Sequence, residues 1–394
     1  MCDTLCRLAP GRTLFAKNSD RPVGERQLVE AHPARTGGGE LRASHIVIPD
    51  EGAFATVGSR PEWCWGFEHG VNEHRVAIGN EKVWTVDDPH AAAPGLIGMD
   101  LVRLGLERAR TADDALTVMT GLLDRHGQGG DCELGGDPYW SSFLVADPEG
   151  AWILETSGST WAARPVDGGA AISNRISLST DWQRASADLS AGADFDEWRD
   201  PEVPTAIGDL RLAVTRPVAA VVDDPRHLTA TLRDHGREQW GRVGDPGFVP
   251  PPPELAADFT GITVCMHLRD SQATAASMIA VLSRDRREPL RAWVTTGSPC
   301  VAVYVPVFPP AWVPSELADP STWDRFERLR MRVEEHPDEL ETVREVLGPI
   351  EADLWADADD VARALAAGGG SDAIRAFMGA TGPRLDLALL SLGV

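Results

Sequence analysis

Short runs rich in apolar and β-branched residues alternate along this chain with blocks whose apolar positions recur at helical spacing. Residues 3–8 and 13–16 are two partly apolar runs around a Pro10-Gly11 turn signal, which predicts a β-hairpin. Such a hairpin brings Asn18, Ser19 and Asp20 back alongside position 2. Residues 41–49 and 76–84 predict strands. Residues 99–124 predict two helices, the second started by Thr111-Ala112-Asp113-Asp114. Residues 143–155 form two apolar runs about Pro148-Glu149-Gly150, a second hairpin, and 163–177 predict a further strand pair. The polar stretch 179–258, ending in four prolines, Pro250 to Pro253, predicts a helical insertion with a stiff connector. Residues 271–282 predict an amphipathic helix, 292–294 and 301–307 two strands, and 323–347 with 353–367 a helical tail. Strands in the middle flanked by helical blocks predict layered sheets and helices; the pattern does not separate parallel from antiparallel pairing.

With 394 residues, 43% of them hydrophobic, the chain can bury a large core as one big domain, or one plus an appendage. A net charge of −23 argues against nucleic acid or an anionic membrane surface as partners. No run approaches the length of a membrane span, and no basic-then-apolar leader opens the sequence, so a cytoplasmic protein is expected. The six cysteines (2, 6, 64, 132, 265 and 300) have no regular spacing and predict reduced thiols. His69 and His74 lack an evident third ligand, and residues 127–136 lack the phosphate-loop pattern. No cofactor and no metal are expected. Lys17 and Lys82 are the only lysines beside many arginines. Trp63, Trp65, Trp84 and Trp140 read either as core or as the lining of an apolar pocket.

The candidate chemistry begins at Cys2. Removal of Met1 would leave a thiol and an α-amine on one residue, with ordinary pKa values near 8.5 and about 7.7 to 8.0. That is a nucleophile and a general base within reach of each other. Asp20, returned by the hairpin, can orient and stabilise the amine. Lys17 can hold the thiolate or pair with Asp20.

Cys2-Asp3-Thr4 and Lys17-Asn18-Ser19-Asp20-Arg21-Pro22 resemble the secernin and bacterial dipeptidase family of N-terminal-nucleophile hydrolases. Residues 70–81, 127–130, 172–175 and 293–300 resemble it too, in the family's order from residue 2 to about 310. Penicillin V acylases and bile salt hydrolases are similar at a greater distance, with Arg-Asn-x-Asp where this chain has Lys17-Asn18-Ser19-Asp20. The resemblance implies an α+β fold, a four-layer αββα sandwich of the N-terminal-nucleophile hydrolase type. The catalytic domain is expected at 2–315, with 179–258 as its insertion, and a C-terminal helical cap at 316–394. It implies an oxyanion role for Asn80, a second active-site amide at Asn174, and an arginine later in the chain, for which Arg175 is a loose candidate. Gly129 and Gly130 are expected in a substrate-covering loop.

The expected activity is hydrolysis of C–N bonds by a cofactor-free cysteine peptidase, dipeptidase-like, on small peptides through a Cys2 thioester. An amidase or acyltransferase on N-acyl substrates, including N-acyl amino acids, is the same-class alternative. A catalytically silent secernin-like interaction protein is the alternative of another class. Homo-oligomerisation stays open.

Overall fold

Strands Cys2–Ala9 and Arg12–Pro22 form the expected hairpin, turning at Gly11 with φ +80°, a conformation that only glycine adopts without strain. Its register sets Cys2 opposite Ser19 and Asp3 opposite Asn18, so Asp20 lies one step past the nucleophile candidate. The computed structural model describes residues 1–236, 261–268, 271–310, 313–368 and 372–394; the prolines at 250–253 lie outside them.

The hairpin is the middle of an antiparallel sheet ordered Gly169–Ile172, Cys2–Ala9, Arg12–Pro22, Gln272–Ser283, Arg291–Thr296, Val305–Val307, with His267–Leu268 pairing onto Gln272–Ser283. A second antiparallel sheet runs Arg184–Ala185, Thr160–Pro165, Ala151–Ser157, Trp140–Ala146, Ala77–Val83, His69–Asn72, Thr56–Pro61, Gln27–His32. The sheets stack face to face over a core that includes Phe15, Met278 and Leu282 from one and Val71, Leu144 and Ile153 from the other. Helices α1 (Gly98–Arg108) and α2 (Ala112–His126) cover the outer face of the second sheet through Leu101, Leu104, Leu116, Met119 and Phe143. Helices α3 (Ala206–Val221) and α4 (Pro225–Leu232) cover the outer face of the first through Leu212, Leu228 and Ile279. The result is a four-layer αββα sandwich. Three more helices, α5 (Pro320–Glu335), α6 (Glu339–Ala366) and α7 (Asp372–Ser391), add Phe326, Leu347 and Leu385 to the core.

Two expectations are corrected. The stretch 271–282 is not a helix but part of the strand Gln272–Ser283, in the middle of the first sheet. Both its faces are covered: Met278, Ala280 and Leu282 enter the inter-sheet core while Ile279 and Val281 face the helices. A segment apolar on every side carries no period to tell strand from helix. Residues 163–177 do not form a strand pair either. Thr160–Pro165 stays in the second sheet, and Gly169–Ile172 crosses to pair with Cys2–Ala9 in the first. Elsewhere the expected helix start holds, since the Thr111 side chain accepts from Asp114 N.

The sheets approach closely at one place. A Cβ on Gly79 would lie 2.5 Å from Lys17 Cδ and 2.9 Å from Thr4 Oγ1. Glycine there lets the Lys17 side chain run between the sheets. Gly79→Ala is therefore expected to destabilise the protein by about 1–3 kcal/mol through overpacking. Gly121→Ala on α2, where an added Cβ meets nothing within 4 Å, should stabilise it by up to about 1 kcal/mol from helix propensity. Denaturant unfolding of the two variants checks this, and equal effects would contradict the close approach.

Candidate active site

The hairpin register, helix α3 and the loop after Gly169–Ile172 converge on Cys2, which is 3% exposed. Its backbone nitrogen donates to Asn174 Oδ1 at 2.8 Å. Asn174 is held in turn, its Nδ2 donating to Lys82 O at 2.7 Å. Cys2 Sγ lies 3.9 Å from Asp20 O and 3.7 Å from Glu68 Oε2. Asp20 Oδ1 accepts from Thr274 Oγ1 at 2.6 Å, and its Oδ2 is 3.5 Å from Arg211 Nη1.

Besides Glu68, sequence reading missed Arg211. It lies on the buried face of α3 and is fully enclosed. Its guanidinium donates to Cys2 O at 3.0 Å, Asp3 Oδ2 at 2.7 Å and Asn174 Oδ1. The resemblance implies a late arginine, but no local motif marks this one, because its partners at Cys2 and Asp3 sit about 200 residues away. Arg175 instead forms an ion pair with Asp209 at 3.1 Å and stays partly exposed.

On the other side of Cys2, Lys17 is fully buried between the sheets. Its Nζ donates to Asn80 O at 2.5 Å and pairs with Glu81 at 3.4 Å and Glu68 at 4.0 Å. Its salt-bridge partners are thus these two glutamates. Thr4 Oγ1 donates to Glu81 as well. Asn80 is fully buried beside Gly98 at the start of α1, where a Cβ would come within 2.9 Å of the amide. With its amide nitrogen turned to Glu68 it donates to Glu68 Oε2 at 3.3 Å and Glu68 O at 2.9 Å. Asn80 and the Cys2 thiol therefore share one carboxylate oxygen. Glu68 Oε1 is fixed by Arg21 Nη1 at 2.9 Å, and Arg21 also reaches Glu25, Tyr139 OH and Cys132 O.

Gly129 and Gly130 are not in contact with Cys2 among the described hydrogen bonds. Gly129 pairs with Gly95 and Leu96, and Gly130, at φ +115°, packs under the His45 ring. Their loop meets the surroundings of the site through Cys132 O on Arg21, Leu134 N on Glu25 and Glu133 beside Lys82. Of the tryptophans, Trp84 and Trp140 line a cleft of about 400 Å³ with Lys82, Asp137 and Tyr139, next to the Asn174 anchor. Trp65 lies under the Arg103 guanidinium, and Trp63 packs against a small buried cluster.

The electrostatics follow from burial. Desolvation pushes the Cys2 thiol up to about 11 against the pull of Lys17, so with Met1 attached it is held as a thiol. Burial also raises Asp20, against the N-terminal ammonium and Arg211, and pushes Asp3 up to about 6 and Glu81 up to about 7. Burial pulls the Lys17 ammonium down, but its acidic neighbours Glu81 and Glu68 raise it, so it remains a cation.

No protein-family model matches the chain. Solved structures to which it is similar include a variant of conjugated bile acid hydrolase from Clostridium perfringens, 11% identical over 75% of this chain and 89% of that one, with a TM-score of 0.42. Penicillin V acylase from Agrobacterium tumefaciens is 11% identical over 78% and 86%, with a TM-score of 0.42. The Caenorhabditis elegans N-acylethanolamine-hydrolyzing acid amidase ortholog is 8% identical over 45% and 71%, with a TM-score of 0.28. The roles of the site residues rest on this chain's own geometry.

Glu81 gives a pH test of that geometry. Its folded value of about 7 stands above the ordinary 4.5, so the folded state holds its proton more tightly than the unfolded chain. The Glu81 contribution to stability therefore falls as pH rises from about 4.5 to about 7. Glu81→Gln removes this dependence, and its Tm relative to wild type should rise steadily between pH 5 and pH 7. A Tm difference that is constant across this window would overturn the assignment.

Proposed function

We propose that this protein, once Met1 is removed, is a cysteine amide hydrolase of the N-terminal-nucleophile type that cleaves small peptides bearing a free α-amine. The reading rests on one observation: Cys2 N already donates to Asn174 Oδ1, in a cage made by Asp20, Asp3 and Arg211. Removing Met1 turns that amide nitrogen into an amine without moving it. The amine supplies the base that the buried thiol needs. It takes the thiol proton, Sγ attacks the scissile carbonyl, and the amine returns the proton to the leaving nitrogen. Water, activated by the same amine, then hydrolyses the thioester. Asp20 and Arg211 fix the charge around the amine, and Asn174 orients it. The Asn80 amide, whose two N–H groups rest on Glu68 Oε2 and Glu68 O here, is assigned as the side-chain donor that exchanges one of these bonds for the oxyanion when substrate is attacked. Lys17 holds the sheets and the Glu68 carboxylate in place.

Met1 itself supports the peptide reading over N-acyl substrates. Its ammonium donates to Gln272 Oε1 at 2.7 Å and Asp20 O at 3.1 Å, and its carbonyl accepts from Asp20 N at 2.8 Å. Its side chain packs against the cluster of Ile262, Met266 and Leu268. Met1 thus occupies the place we assign to the first residue of a substrate, with acceptors for an ammonium and an apolar cradle for a side chain. An N-acylated substrate has no ammonium to offer these oxygens.

Dipeptides with an apolar first residue and a free amine should be hydrolysed, and their N-acetylated counterparts should not. Gln272→Leu should lower kcat/KM for the free-amine peptides about 10- to 100-fold, mainly through KM, as expected for a lost hydrogen bond to a charged group. Cys2→Ala, and protein whose intact mass retains Met1, should be inactive. Preferential turnover of the N-acetylated forms would replace the peptidase reading with the N-acyl amidase one.

A further inference from the structure

A second convergence of reactive side chains includes two residues, Cys265 and His267, that alternate with those packing against Met1. His235 follows α4, Cys265 and His267 precede the strand Gln272–Ser283, and Cys300 sits in the turn after Arg291–Thr296. One ligand atom from each, two sulfurs and two imidazole nitrogens, lies within 4.8 Å of all the others. His267 Nε2 is 3.5 Å from Cys265 Sγ and 3.4 Å from Cys300 Sγ. Its other nitrogen, Nδ1, is 2.8 Å from Glu334 Oε1 on α5.

We propose that His235, Cys265, His267 and Cys300 form a structural zinc site. The donor set is two sulfurs and two imidazoles, which suits tetrahedral zinc. With zinc–sulfur and zinc–nitrogen bonds of about 2.3 and 2.0–2.1 Å, a sulfur-to-nitrogen edge of the tetrahedron is about 3.5 Å. Both sulfur-to-His267 distances have that length. Two thiolates neutralise a dication, so no net charge is buried. Glu334 supplies the outer carboxylate that typically orients a ligating imidazole, leaving Nε2 to the metal, and Arg330 pairs with Glu334 behind it.

The same residues also resemble a nucleophile set, with Cys300, His267 and Glu334 in hydrogen-bond order. The makeup of the cluster decides against that use. A nucleophile, a base and an orienting carboxylate need no second thiol and no second imidazole, yet Cys265 and His235 bring one of each to the same point. The sequence expectation of no metal came from irregular cysteine spacing. It missed the Cys265-Met266-His267 pair because the other two ligands come from turns 30 and more residues away in each direction.

The test is the metal content of the untagged full-length protein, purified without chelator from zinc-supplemented medium. One zinc per chain by mass spectrometry of the elements is expected. Replacement by Co2+ should give the thiolate-to-cobalt charge-transfer and intense visible bands of a tetrahedral site. The double variant Cys265→Ser/Cys300→Ser should lose both metal and bands, whereas Cys6→Ser should keep them. If the double variant does not fold, the wild-type zinc content and cobalt spectrum decide alone. Chain free of metal with no cobalt bands, iron in place of zinc, or a Cys265–Cys300 disulfide in the intact mass would overturn the proposal. Peptide hydrolysis by Cys2 is a separate measurement, so failure of either reading leaves the other standing.

Discussion

Two buried cations organise this molecule. Lys17 and Arg211 lie on either side of Cys2, both fully enclosed. An unpaired charge at such depth would cost several kcal/mol, and removing one partner of a buried pair is strongly destabilising. Each cation is therefore matched to carboxylates from other elements: Lys17 to Glu81 and Glu68 of the second sheet, Arg211 on α3 to Asp3 and Asp20 of the hairpin. Those pairings tie a sheet to a sheet and a helix to a sheet across Cys2. The chemistry proposed for the site uses charges that the fold already requires to be in place.

This dual role explains which parts of the site were legible in the sequence. The hairpin was, because alternation and the Pro10-Gly11 turn are local signals, and they place Asp20 beside Cys2 without any long-range information. Asn80 and Asn174 came from the resemblance, not from pattern, and the structure puts each one hydrogen bond from Cys2 or from its Glu68 neighbour. Arg211 and Glu68 were not legible. An arginine on an otherwise unremarkable helix, and a glutamate at the edge of a strand, take their meaning only from contacts across the fold. The strand Gln272–Ser283 was misread for a related reason: burial on both faces removes the alternation that marks a strand at a sheet surface.

Met1 gives the site two chemical states. With it attached, the only nitrogen on Cys2 is an amide, burial keeps the thiol protonated, and the places for an ammonium and an apolar side chain are filled. In the function proposed above, loss of that one residue supplies the base and opens those places together.

The strand Gln272–Ser283 carries a β-bulge between Thr274 and Ala276, directly across from Ser19 and Asp20. On one side of it, Thr274 keeps its hydroxyl on the Asp20 carboxylate. The extra residue, Ala275, turns its carbonyl away to accept from Gly297 N at 2.9 Å and from Trp323 Nε1 of α5 at 3.1 Å. The single inserted residue thus separates two attachments that a regular strand would have linked by register. The seating of the carboxylate beside Cys2 and the hold on α5 therefore fall to adjacent residues that share no register, so a shift in one need not pass to the other.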